Sequence, residues 1–189
     1  MVTKQEWLDE GLAILAELGA PSITIDRLCQ RLGMTKGSFY HHFQGMRGYR
    51  TALLEHFEAK CTTRLIDEVE RGPSTTPRAK LDHLLDLVAS AKHEHGPDLD
   101  VGMRAWALQD EEAKQTQQRV DRTRFDYLRI LTRGLGTDPQ TAADIADLLY
   151  LTLIGAGHMV PPTKPAELRR LFAQLIRFGT GENPRGDNR

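Results

Sequence analysis

The chain is predicted to be all-α, and three features of its sequence carry that prediction. Apolar residues recur at helical spacing through segment after segment, nothing alternates as a strand does, and clusters of Gly and Pro cut the pattern into helix-length pieces. The architecture expected is an N-terminal three-helix head carrying a helix-turn-helix, followed by a helical-bundle body.

The first helix holds Leu8, Leu12 and Leu15 and ends at Leu18-Gly19-Ala20-Pro21. The second begins at Thr24, whose hydroxyl can accept from a free N–H of the first turn, and Ile25, Leu28, Cys29 and Leu32 fall at i, i+3, i+4 and i+7 on one stripe. Gly33 ends it, because glycine takes the left-handed conformation without a Cβ penalty. The third helix restarts at the N-cap Thr35, with Met34 placed to pack on Phe39 as a hydrophobic staple. Phe39 and Phe43 mark its inner face. At about 100° per residue, Gly37, Tyr40 and His41 point the other way, flanked by Lys36 and Ser38. Two short capped helices joined by a glycine turn form a helix-turn-helix, which points to DNA.

Beyond the Gln44-Gly45 turn, residues 48–71 contain no proline and carry Tyr49, Leu53, Phe57, Cys61 and Leu65 at intervals of four. This predicts a rod of about 36 Å linking head to body. Gly72-Pro73-Ser74-Thr75-Thr76-Pro77 breaks it, and a helix with Leu81, Leu84, Leu85 and Val88 runs on to about His95. After Gly96-Pro97 come a segment with Met103, Trp106 and Leu108, then a charged helix near 112–133 with Val120, Tyr127, Leu128 and Leu131. The helix near 141–158 places Ile145, Leu148, Leu149, Leu153 and Ala156 on one face, while Leu151 and Ile154 extend its apolar surface, so it needs cover on more than one side. The helix near 165–178 carries Leu168, Leu171, Phe172, Leu175 and Ile176. The expected division is a head at 1–47, a body at 48–180 and a disordered tail at 181–189.

The formal net charge is only −1, but between Ser22 and Arg50 the basic residues Arg27, Arg31, Lys36, Arg47 and Arg50 face Asp26 alone in the sequence. The basic footprint is therefore expected in the head. No apolar run approaches a transmembrane helix and no signal peptide is evident, so the expected location is cytoplasmic, without a membrane partner. Cys29 and Cys61 lack metal-ligand spacing, and Cys29 lies on the buried stripe. In His93-Glu94-His95, helical neighbours at i and i+2 point about 200° apart and cannot face one ion, so no metal is expected. No nucleophile elbow, phosphate-cradling Gly-rich loop or His-Glu-x-x-His motif is present. Neither an enzyme nor a cofactor is expected.

The head resembles that of the tetracycline-repressor (TetR) family of bacterial transcriptional regulators. The resemblance rests on the first helix, on Ile23-Thr24-Ile25-Asp26-Arg27-Leu28, on Leu32-Gly33-Met34-Thr35-Lys36-Gly37-Ser38-Phe39-Tyr40 and on His41-His42-Phe43. It implies that Lys36, Gly37, Ser38, Tyr40 and His41 face the major groove, with Thr24 and His42 near the phosphates. The family's phosphate-binding lysine is replaced here by Met46, which passes that role to Arg47. By the same resemblance the last two large helices pair with those of a second copy through Leu149, Leu153, Leu168, Leu171, Phe172 and Leu175. Family members also commonly hold an effector in the body, where Met103, Trp106, Tyr127, Tyr150 and His158 would receive a small apolar or aromatic molecule. The implied protein is a homodimeric repressor released from a palindromic operator by that effector. The alternatives are an effector-independent architectural or division-control DNA-binding protein, and a regulator answering to a protein partner.

Overall fold

The computed structural model describes residues 2–94, with side chains as far as 90, and residues 99–181. Helices follow one another as α1 (Lys4–Leu18), α2 (Ile25–Leu32), α3 (Lys36–His42), α4 (Gly45–Glu58), α5 (Arg64–Arg71), α6 (Pro77–Glu94), α7 (Leu99–Ala107), α8 (Glu111–Arg133), α9 (Pro139–His158) and α10 (Pro165–Thr180). No strand occurs among the described residues. The Gly96-Pro97 break, the side chains of His93-Glu94-His95 and the tail past Gly181 lie outside the described residues.

Two compact units emerge. The first comprises α1 to Arg64 together with α7 and α8 as far as Val120; the second comprises α5 from Leu65, α6, α8 from Asp121, α9 and α10. These are units of packing. They attach α4 to the N-terminal helices because Tyr49, Leu53, Leu54 and Phe57 share one core with Trp7, Leu12, Phe39 and Phe43.

Local chemistry accounts for α1 and its contacts. Thr3 and Glu6 form a reciprocal capping box, with the Thr3 N–H donating to Glu6 at 2.6 Å and the Glu6 N–H donating to the Thr3 hydroxyl at 3.2 Å. The Tyr49 hydroxyl crosses α1 and donates to the Trp7 carbonyl at 2.8 Å. That crossing requires Gly11, where a Cβ would lie 2.0 Å from the same hydroxyl. Burial raises the Tyr49 phenol far above its ordinary range, so it stays a neutral donor. The packing of α7 is equally close: a Cβ at Gly102 would stand 2.7 Å from the Leu15 carbonyl oxygen.

The expected rod over 48–71 is helical from Gly45 to Arg71 but contains a π-helical turn at Ala59–Thr63. Its cause is visible in the spacing: residues four apart advance about 40° beyond a full α-turn, so a stripe from Tyr49 to Leu65 drifts around the cylinder. A wider turn centred on Cys61 takes up that drift. In the second unit α9 begins at Pro139 behind the cap Asp138, whose carboxylate accepts from Gln140 and Thr141 N–H at 3.1 and 3.0 Å. Its core gathers Leu81, Leu84, Leu85, Leu128, Leu131, Ile145, Leu149, Leu168, Phe172 and Ile176. No helix among the described residues is long and apolar enough to cross a membrane.

Candidate nucleic-acid interface

The helix-turn-helix forms by the local rules expected of it. The Thr24 hydroxyl accepts from Arg27 N–H at 3.2 Å, Gly33 takes the left-handed conformation at φ 65°, and the Thr35 hydroxyl accepts from Ser38 N–H at 3.3 Å. Met34 packs against the core that holds Phe39. Phe39 is 0% exposed and meets Trp7 edge-on at 5.5 Å, while Phe43 meets Tyr49 edge-on at 4.8 Å. Together these rings anchor the inner side of α3.

The outer side carries the residues expected there. Tyr40 is 58% exposed, and Lys36, Gly37 and His41 are exposed beside it, with Ser38 half-buried. A Cβ at Gly37 would meet nothing closer than the Thr35 hydroxyl at 3.6 Å. The protein itself therefore does not require glycine at this point, and the free space opens outward. His42 turns away from that face, its Nε2 lying 3.1 Å from the Val2 carbonyl. Thr24 is exposed but occupied as a cap, and Arg47 is exposed at the start of α4 with no ion pair among the described residues.

The charge pattern departs from the sequence expectation. Arg31 is bound by Glu10 at 2.5 Å and Glu17 at 2.7 Å, both from α1, and Arg50 lies 3.6 Å from Asp110 and 5.2 Å over the Trp106 ring. Arg27 donates to the Ser22 carbonyl at 3.4 Å, and Lys36 is 2.5 Å from Asp26. A count confined to residues 22–50 misses Glu10, Glu17 and Asp110, which the fold brings in from outside that window. The cationic footprint is consequently smaller than the sequence suggests.

The residues expected to line an effector pocket fall into separate groups. Met103 and Trp106 are buried in the core of the first unit, and the Trp106 indole N–H is buried without an acceptor among the described residues. Tyr127 and Tyr150 are buried in the second unit and donate to Glu70 at 2.8 Å and to Asp121 at 2.6 Å. Burial and the Glu70 carboxylate raise the Tyr127 phenol above its ordinary range. His158 is exposed at the end of α9, its Nδ1 2.9 Å from the Ile154 carbonyl.

The expected interface residues also divide. Leu149, Leu168 and Phe172 are packed inside the second unit's own core, whereas Leu153, Leu171 and Leu175 are half-buried at its margin. Leu151, 61% exposed, and the half-exposed Leu148 belong to the apolar surface that sequence reasoning expected to need cover, whereas Phe178, 79% exposed, was not assigned. The signal for Leu148 and Leu151 was present in the all-round apolarity of their helix. For Phe178 the signal was its place three residues past Leu175 and seven past Leu171, at the edge of the α10 stripe.

Residues 8–53 match the family model described as bacterial regulatory proteins, tetR family. A curated relative, the transcriptional regulator AcuR of Cereibacter sphaeroides, is 29% identical over 92 residues, which span 49% of this chain and 42% of that protein. The match thus covers less than half of the relative's length. A TetR transcription regulator from Haloarcula marismortui shares the fold with a TM-score of 0.74 at 21% identity, covering 93% of this chain and 96% of that one. A TetR transcriptional regulator from Legionella pneumophila does so with a TM-score of 0.73 at 11% identity, covering 96% and 97%.

Proposed function

We propose that the chain is a DNA-binding transcriptional regulator of the TetR family, a homodimeric repressor which grips a palindromic operator through α3 and is released by a small-molecule effector. The observation that carries this reading is the outer face of α3, where Tyr40, Lys36 and His41 surround the open space at Gly37 above a fully buried Phe39. In this proposal residues 1–47 read the DNA, with Ser38 in the groove and Thr24, His42 and Arg47 near the phosphates. Residues 48–180 take the effector and the second copy.

The second copy covers Leu148, Leu151 and Phe178 together with the half-buried Leu153, Leu171 and Leu175, while Leu149, Leu168 and Phe172 lie in the unit's own core. Two-fold pairing places two α3 helices for successive major grooves roughly 34 Å apart, and an effector that prefers a different spacing weakens binding by its differential affinity for the two states. The Trp106 N–H, buried without an acceptor among the described residues, favours an effector that carries one. Met103 lies in the same core; Tyr127, Tyr150 and His158 supply candidates in the second unit.

The test is in vitro selection of duplexes by the purified protein, followed by affinity measurements. Tyr40→Ala and Lys36→Ala are expected to weaken the selected duplex by about 1–3 kcal/mol without loss of fold. Equal affinity in the folded variants contradicts the assignment. An effector found by thermal shift should perturb Trp106 fluorescence in a Trp7→Phe background and lower DNA affinity; no such compound would favour the effector-independent or partner-controlled alternative.

A further inference from the structure

Among the basic residues between Ser22 and Arg50, Lys36 is held differently from the rest. The partners of Arg31 and Arg50 lie outside the two motif helices: Glu10 and Glu17 link α1 to α2, and Asp110 approaches α4. The Lys36 partner is Asp26, in the first turn of α2, at 2.5 Å, and both side chains are mostly exposed, 62% and 76%. This pair sits at the outer ends of the two helices of the motif, on the surface offered to DNA. Thr24 already caps α2, and Asp26 complements the positive end of that helix without being needed as its cap. Its carboxylate places a negative charge where a polyanion must approach, a cost unless it has a use.

We infer that Asp26 sets the discrimination between operator and bulk DNA by occupying the Lys36 ammonium until a specific contact replaces it. The inference rests on the DNA-binding role of α3 proposed above. Carboxylate and phosphate compete for the same N–H donors of one lysine. On arbitrary duplex, moving Lys36 to a phosphate leaves Asp26 unpaired beside the backbone, so little is gained. On the operator, a guanine edge presents two acceptors to Lys36 in the major groove while Tyr40 and His41 engage neighbouring bases. Asp26 is thus a positioning residue acting through Lys36. Its hydrogen bond and charge also hold the Lys36 ammonium protonated to higher pH than usual.

The test compares Asp26→Asn, Lys36→Gln and the double variant by fluorescence anisotropy, on the duplex selected by the wild-type chain and on a scrambled duplex of equal length. Asp26→Asn should bind scrambled DNA more tightly and lower the selected-to-scrambled ratio. Its affinity should fall about 3.5-fold further than the wild type's between roughly 50 and 200 mM salt, the signature of one added phosphate contact. Asp26→Asn in the Lys36→Gln background should alter neither quantity, and Asp26→Glu should restore wild-type discrimination. An unchanged slope and ratio in Asp26→Asn overturns the inference. So does an equal shift in the Lys36→Gln background, which makes Asp26 a simple repulsive charge. A wild-type chain that selects no duplex overturns the DNA-binding reading as well, and urea midpoints identify any variant that acts by unfolding.

Discussion

The cores of the two units are built from different materials. Around α3 the first unit stacks rings: Phe39, Phe43 and Tyr49 meet one another, and Trp7 meets Phe39, in edge-on or tilted pairs at 4.8–5.5 Å. The second is dominated by leucine and isoleucine, and leaves Leu148, Leu151 and Phe178 at its surface. Rings locked by specific geometry, with both motif helices capped, hold a polar face in one position. Aliphatic packing tolerates rearrangement more readily, and the exposed apolar side chains beside it are those the proposed second copy would cover. In the proposed function the first unit is the rigid reader and the second takes the partner.

The largest effects should come from the cores themselves. Phe39→Ala is expected to cost about 3–5 kcal/mol in urea unfolding and to abolish DNA binding with the fold, and Phe172→Ala should cost a similar amount in the second unit. Surface charges separate the two regions more cleanly. Leu151→Asp with Phe178→Glu should leave the folded far-UV spectrum intact yet yield a monomer by sedimentation; a stable dimer from that variant would remove α9 and α10 from the interface. A charge at Phe172 should unfold the unit instead, since that side chain is 1% exposed.

Thr35→Ala should cost about 1 kcal/mol by removing the α3 cap, and should weaken DNA binding out of proportion to its effect on stability. The smallest effect concerns pH. Burial alone would raise the Asp9 carboxyl, but hydrogen bonds from Lys60 at 2.6 Å and His56 at 3.0 Å outweigh it and hold the group below its ordinary 3.8. A carboxylate depressed on folding contributes stability above its unfolded pKa and loses it as pH falls through the folded one. The advantage of wild type over Asp9→Asn in urea should therefore be present at neutral pH and shrink as pH falls below 3.8. A pH-independent difference would detach Asp9 from Lys60 and His56.

Legibility in the sequence followed the range of the interactions. The caps at Thr24 and Thr35, the Gly33 turn and the inner face of Phe39 and Phe43 are set within a few residues, and the structure repeats them. The π turn at Ala59–Thr63 was half-legible: the four-residue interval was plain, but the drift it implies becomes a wider turn only when packing demands continuity. The pairing of Arg31 with Glu10 and Glu17, and of Arg50 with Asp110, joins residues far apart in the chain, and no local count of charge could anticipate it. The same holds for Leu149, Leu168 and Phe172, whose helical spacing marks an apolar stripe but not whether that stripe meets its own chain or another.

The most direct test of the reader in the first unit is photocrosslinking to the selected duplex, with azidophenylalanine in place of Tyr40 in one sample and of Gln115, exposed on α8, in another. The account predicts a DNA adduct from position 40 that excess unlabelled operator abolishes, and none from position 115. An adduct from position 115 with none from position 40, in protein that still binds the duplex, would contradict it.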